Sequence, residues 1–364
     1  MIRKLLVIGG ILAVLGIAAA GALYATYPVR FVIFGALMRN YLLSWSAPPG
    51  ATTTELNTAY KAPQTSVASL PAASALPAVT DGSWPSYNRT LTSERFSPLS
   101  QINTKNASKL KVLCTYDIGH FTGFESGLIM VNNALIGATE FDIFSLNPAT
   151  CAQNWRTHED YPANIIPVNR GVAYMDGRLF RGTQDGRVVA YDFKTGTRIW
   201  ETTIADVKHG ESVPSAPIAW DGLVFIGNAG GDMKGGKGHM FALDAKTGKI
   251  AWEFFLVPAE EGDAIRGPLA KTPLNTSTWK NASGIPISGG GTWTSYTLDP
   301  TTGLLYVPGG NPAPDFAIAV REGDNLYTDS VVVLDAATGD YEYDFKLVRE
   351  DWHDWDVSNP PVLV

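Results

Sequence analysis

Two polar clusters interrupt an otherwise strand-and-turn sequence: Gly309-Gly310-Asn311-Pro312, and the Gly323-Asp324-Asn325 that follows it. Neither adds anything to a core. An amide carbonyl and a carboxylate are hard oxygen donors, suited to a hard cation, and a carboxylate within reach of a hydroxyl can take its proton. Other chemistries are poorly supported. The five histidines, His120, His158, His209, His239 and His353, have no ligand-like spacing, and no Ser-His pair or paired carboxylates of a hydrolase stand out.

The remaining acids belong mostly to turns. "SLNPATCAQNW", "AYDFKTGTRIW", "ALDAKTGKIAW" and "VLDAATGDYEY" end at Trp155, Trp200, Trp252 and Tyr343, with the aromatic eight residues after the opening Asn or Asp. A weaker fifth copy, "TLDPTTGLLYV", runs from Thr297 to Val307. From Asn147 through Asp192, Asp244 and Asp299 to Asp335 the separations are 45, 52, 55 and 36 residues, averaging near one four-stranded propeller blade. A strand reaches the Asx, the Asx and Thr-Gly close a tight turn, and the returning strand delivers a large ring between neighbouring sheets. Asp192, Asp244 and Asp335 are therefore turn residues and not catalytic ones.

Composition agrees with an all-β domain. The 364 residues include 36 Gly and 23 Pro, with 11% aromatic and only 17% charged side chains. A net charge of -7, with no Lys/Arg run beyond the N-terminus, argues against nucleic acid as a partner. Residues 1–45 read as a membrane anchor with an interfacial segment: Arg3 and Lys4 precede an uncharged apolar stretch from Leu5 to Tyr27, long enough to span a bilayer. A cleaved signal peptide is the rival, but its apolar region is usually shorter. The basic flank places the bulk of the chain outside the cytoplasm. Phe31–Trp45 is apolar but interrupted by Arg39 and Asn40, as in an interfacial helix. Residues 46–83, rich in Ala, Pro, Ser and Thr, read as an extended tether, and the folded region spans 84–364.

With the turns explained, the repeats and the opening "YNRTLTSERFSPLSQINTKNASKLKVLCTYDIG" resemble the pyrroloquinoline quinone (PQQ) dehydrogenases, a family of eight-bladed propellers that oxidise alcohols. "DWHDWDVSNPPVLV" resembles that family's Asp-x-Trp-Asp element between blades, whose rings and acids read as structural. The resemblance implies two cofactors, PQQ and a calcium ion. It makes Asn311 a calcium ligand and Asp324 the base that takes the alcohol proton. Trp293, after a Gly run that leaves room for close backbone approach, matches the indole that stacks on the quinone, and Arg170 in "PVNRG" matches the Arg paired with a cofactor carboxylate. Glu125 resembles an acidic cofactor contact, and Thr183 a hydroxyl one, with a turn hydroxyl as the equal alternative.

The sequence departs from the family in two places. Where better-known members carry a Glu metal ligand, counting back from the shared turn reaches Met233, with Asp232 one place earlier; a one-residue loop adjustment makes Asp232 the second ligand. The adjacent cysteines that many members place against the quinone are here Asn164 and Ile165. Cys114 and Cys151, the latter in place of its repeat's turn Gly, read as a structural disulfide between neighbouring first-blade strands in an oxidising compartment.

The implied activity is periplasmic oxidation of an alcohol or polyol to an aldehyde or ketone, with the propeller tethered to the inner membrane. No Cys-x-x-Cys-His is present, so electrons pass to a separate quinone or cytochrome. Five or six blades are expected, and an eight-bladed ring needs roughly another hundred and fifty residues, so the chain reads as a truncated form of an enzyme. A membrane-tethered propeller scaffold of the outer-membrane assembly lipoprotein type is the alternative. The set Asn311, Asp324, Trp293, Arg170 and Asp232 separates the two, because a scaffold has no reason to keep it.

Overall fold

Each repeat turn is built by its Asx side chain. Asp192 Oδ1 accepts the backbone N–H groups of Lys194 and Thr195 at 3.0 and 2.9 Å, and Asn147, Asp244 and Asp335 hold the same two positions beyond themselves. These turns join the third and fourth strands of successive antiparallel sheets. A computed structural model describes residues 82–119, 122–161, 168–232, 235–259, 276–280 and 284–364. The expected N-terminal anchor, the tether up to residue 81, Asn164 and Ile165, and Met233 lie outside them. Among the described residues no helix is long and apolar enough to cross a membrane.

Four four-stranded sheets follow one another along the chain, each a meander in sequence order. The first holds β1 (Ile129–Val131), β2 (Ala134–Ala138), β3 (Asp142–Leu146) and β4 (Gln153–His158). The second holds β5 (Ala173–Met175), β6 (Arg178–Gly182), β7 (Arg187–Asp192) and β8 (Arg198–Thr203). The third holds β9 (Ile218–Trp220), β10 (Leu223–Gly227), β11 (His239–Asp244) and β12 (Ile250–Phe255). A two-residue strand β13 (Ser288–Gly289) precedes the fourth sheet and pairs with β16 (Pro312–Ala313); the sheet itself is β14 (Thr297–Asp299), β15 (Leu304–Pro308), β17 (Ser330–Asp335) and β18 (Tyr341–Lys346).

Among the described residues there are four four-stranded sheets and the two-stranded β13–β16 pair, against the five or six blades expected. "TLDPTTGLLYV" has the turn chemistry of the other repeats, but it closes the β14–β15 hairpin inside the fourth sheet. That placement also explains the short spacing from Asp299 to Asp335.

The inner strands are buried on both faces. β3, β7, β10, β11 and β17 read as near-continuous apolar runs because sheet packs on sheet. The largest core cluster lies between the third and fourth sheets, where Phe225, Met240, Trp252 and Phe254 meet Tyr296, Leu305, Val307 and Val332. The repeat ring reaches across each junction. Trp155 donates its indole N–H to Phe193 O, Trp200 to Ala245 O, and Trp252 to Ala336 O, at 3.1, 3.1 and 2.9 Å. In all four sheets the pairing of the last two strands slips by one position just before the ring, leaving Asn154, Ile199, Ala251 and Glu342 as the extra residues. A bulge of this kind re-aims the next side chain, here the ring that docks.

Candidate metal and cofactor site

The site is assembled by loops between strands that approach backbone to backbone. A Cβ on Gly310 would lie 2.5 Å from Asp356 Oδ1 and 2.8 Å from Gly291 O, so only glycine fits there. The Gly run before Trp293 serves the same end: its room is filled by neighbouring backbone, with Gly290 N–H donating to Asn311 O and Gly310 N–H to Gly291 O. Asn311 and Trp293 are held side by side as a result.

From that point a line of polar contacts runs in both directions. The backbone N–H of Asn311 donates to Asp356 Oδ1 at 3.1 Å, and the indole N–H of Trp293 donates to the same carboxylate. The guanidinium carbon of Arg170 lies 4.5 Å from the Trp293 ring centroid, and Arg170 Nη2 is 2.9 Å from Glu125 Oε2. In the other direction the Asn311 side-chain N–H donates to Asp315 Oδ1 at 2.5 Å. Carboxylate oxygens of Asp315, Asp232 and Asp354 all lie within 4.8 Å of one another.

Three acids so close cannot all ionise cheaply without a cation. Asp232 and Asp354 are reached by solvent and Asp315 is half-buried, yet the protein around them penalises their charged forms. Asp315 is pushed well above the ordinary carboxylate range, first by burial and then by Asp232 and Asp354. Asp232, though solvent reaches it, is raised first by the protein packed around its carboxyl and then by Asp356 and Asp354. Burial likewise raises Asp356, against the lowering effect of the Trp293 and Asn311 hydrogen bonds. Burial lowers Arg170, against the pull of Glu125.

Of the residues singled out in the sequence, Glu125, Arg170, Trp293, Asn311 and Asp232 lie on or beside this line. Asp324 is exposed, and its charge acts on Lys346, whose Nζ also faces Asp329 at 3.6 Å; its neighbour Asn325 is buried and bonds Arg321 and Thr278. Thr183 is buried, and its hydroxyl serves its own hairpin through Asp185 and Arg187 O at 2.5 and 3.1 Å. Cys114 and Cys151 form a disulfide, with Cα atoms 5.7 Å apart.

Three acids of the site, Asp315, Asp354 and Asp356, were not singled out. Asp315 hides at the end of "GGNPAPD". Asp354 and Asp356 alternate around Trp355 in "WHDWD", and that alternation, which presents both acids on one side of an extended segment, was the available signal. Asp351 fixes the segment by accepting the backbone N–H groups of His353 and Trp355 at 2.8 and 3.2 Å.

Comparison with known proteins places this geometry in context. Residues 84–364 match the family model described as PQQ: Glucose/ethanol/alcohol dehydrogenase, beta-propeller domain. The dehydrogenase subunit of the alcohol dehydrogenase (quinone) of Gluconobacter oxydans (strain 621H) is 35% identical over 301 residues, covering 76% of this chain and 39% of the relative. The quinohemoprotein alcohol dehydrogenase ADH-IIG of Pseudomonas putida is 34% identical over 295 residues, covering 78% of this chain and 40% of the relative. Among solved structures, that of quinohemoprotein alcohol dehydrogenase ADHIIG from Pseudomonas putida HK5 aligns with a TM-score of 0.68 at 32% identity, over 75% of this chain and 41% of that one. A europium-containing methanol dehydrogenase aligns with a TM-score of 0.67 at 27% identity, over 76% of this chain and 51% of that one. The chain thus spans about two fifths of the length of the curated alcohol dehydrogenases it matches.

Proposed function

The chain belongs to the PQQ-dependent glucose, ethanol and alcohol dehydrogenase β-propeller family, and on that premise we propose that it binds a metal ion and PQQ at the Asp232–Asn311–Trp293–Arg170 site and oxidises an alcohol or polyol. The reading includes a periplasmic setting on a membrane anchor and a quinone or cytochrome as electron acceptor. The observation that carries it is the unbroken run of contacts from Glu125 through Arg170, Trp293, Asp356 and Asn311 to Asp315.

The residues fit the two groups. Asn311 is only 2% exposed, and its side-chain carbonyl accepts no hydrogen bond among the described residues. It stands beside three carboxylates whose charged forms are disfavoured in the absence of a cation. Hard oxygen donors of this kind suit calcium. Asp232 and Asn311 would hold it, with Asp315 and Asp354 in reach. For a planar quinone bearing carboxylates, Trp293 offers an aromatic face and Arg170 a guanidinium of low hydration with a bidentate fork.

When bound, the quinone supplies the two-electron acceptor for the alcohol. The chain's own part is to orient and to move a proton. We take Asp356, held by the Trp293 indole and the Asn311 backbone, rather than Asp324 as the carboxylate that takes the hydroxyl proton; burial raises it above the ordinary carboxylate value. Arg170, fixed between Glu125 and Trp293, presents one charge at one orientation.

Calorimetric titration of the full chain in detergent with PQQ, with and without calcium, tests the reading. Calcium-dependent binding that is lost in Asn311→Ala supports it. A folded chain, checked by circular dichroism, that binds neither ligand removes it and promotes the scaffold alternative.

A further inference from the structure

Three of the sheet junctions share one contact. Four residues after the Asx of the outer hairpin stands a glycine in the left-handed region: Gly196, Gly248 and Gly339, with φ of 70°, 71° and 73°. The Trp of the preceding sheet lies flat against it. A Cβ on Gly196 would meet Trp155 at 2.4 Å, one on Gly248 would meet Trp200 at 2.5 Å, and one on Gly339 would meet Trp252 at 2.5 Å. Neither partner can be changed alone, because the glycine supplies both the backbone conformation and the bare surface that the indole covers.

The first sheet breaks the pattern at this position. Its outer turn opens at Asn147, and four residues on stands Cys151, also left-handed with φ of 57°. A non-glycine residue is strained there, and nothing in the turn requires a side chain. What meets Cys151 is the sulfur of Cys114. The stretch around Cys114 runs along the outer edge of the first sheet: Tyr116 donates its hydroxyl to Gln153 Oε1 at 2.7 Å, Arg156 donates to Ile118 O at 2.8 Å, and the Tyr116 and Phe144 rings lie 5.1 Å apart. Cys114 thus meets the first sheet's turn where an indole meets each of the other three.

We propose that the Cys114–Cys151 disulfide is a covalent replacement for the Trp-on-Gly contact, and that it makes attachment of residues 110–118 to the first sheet dependent on redox state. Closure takes two protons and two electrons from the two thiols to a disulfide oxidant, which leaves as a dithiol. The other three junctions close by packing alone and need no oxidant. The strain at Cys151 is retained because the bond requires a side chain there. This inference does not depend on the quinone chemistry.

The test is hydrogen exchange on the full chain, read at the amides of residues 112–118 and of β3 and β4, before and after dithiothreitol. Reduction of the wild type is expected to speed exchange there about tenfold or more and to leave the third and fourth sheets unchanged. Cys114→Ser with Cys151→Ser should reproduce the loosened state without reductant. Cys114→Trp with Cys151→Gly should restore protection and make it indifferent to dithiothreitol. Unchanged protection in the reduced wild type overturns the proposal, as does a Trp/Gly double variant, folded in its third and fourth sheets, that exchanges as fast as the double Ser variant. Because the reductant experiment uses the native sequence, misfolding of a variant leaves that outcome readable. Free thiols at both positions in protein prepared under oxidising conditions would also overturn it.

Discussion

The guanidinium of Arg170 lies over the indole of Trp293, 4.5 Å from the ring centroid, while its Nη2 pairs with Glu125 at 2.9 Å. A planar cation is needed for both contacts at once, and lysine cannot supply it. Arg170→Lys is therefore expected to weaken PQQ binding by about 10- to 100-fold, the usual cost of losing a charge-assisted hydrogen bond. Quenching of Trp fluorescence on titration with PQQ would measure it; unchanged affinity would remove Arg170 from the site.

Asp356 and Asp324 differ in setting, and the two should behave differently. Asp356→Asn keeps the shape and an oxygen to accept the Asn311 backbone N–H but cannot take a proton. Turnover of an alcohol in a dye-linked assay should fall by about 10² to 10⁴-fold. Asp324→Asn, at an exposed position, should leave turnover near that of the wild type. The opposite result would return the role of base to Asp324.

The Asx turns and apolar inner strands were legible in the sequence because each is decided by chemistry within about a dozen residues. The outer hairpins at Asn147, Asp192, Asp244 and Asp335 are where turn chemistry puts them. That same local chemistry misled at Asp299, because a turn motif does not record which hairpin of a sheet it closes. Asp315 and Asp356 were illegible for the converse reason. Asp315 shares its segment with Asn311, but Asp232 and Trp293 come from other loops, and the alternation around Trp355 marks Asp354 and Asp356 as sharing a side without saying what they face.

Trp252 is the most buried of the docking rings, at 2% exposure, and joins the largest core cluster. Trp252→Ala removes that packing and the bond to Ala336 O, and should destabilise the fold by about 3–5 kcal/mol. Trp155, half-buried, should cost less when truncated. Urea denaturation of both variants would rank them.

Asp329 is fully buried, and burial pushes its carboxyl up to about 7 despite Lys346 Nζ at 3.6 Å. An unfolded carboxyl loses its proton near 4, so between about pH 4 and 7 the folded chain holds a proton that the unfolded chain has released. Stability from this group is therefore lost as pH rises through that window, by up to about 1.4 kcal/mol per pH unit, and levels off above it. Asp329→Asn should flatten the profile by one carboxyl's share. Denaturation midpoints at pH 5 and pH 8 would show whether it does.

The extra residue before each docking ring makes chain length, more than side-chain identity, the protected quantity in these repeats. Ile199 is exposed, so many substitutions there should be tolerated. Its deletion is another matter: one residue fewer turns Trp200 to the opposite face of β8, taking the ring off Gly248 and its N–H away from Ala245 O. Reading-frame-preserving losses of a single codon at 154, 199, 251 or 342 should thus be purged where point changes at the same codons persist.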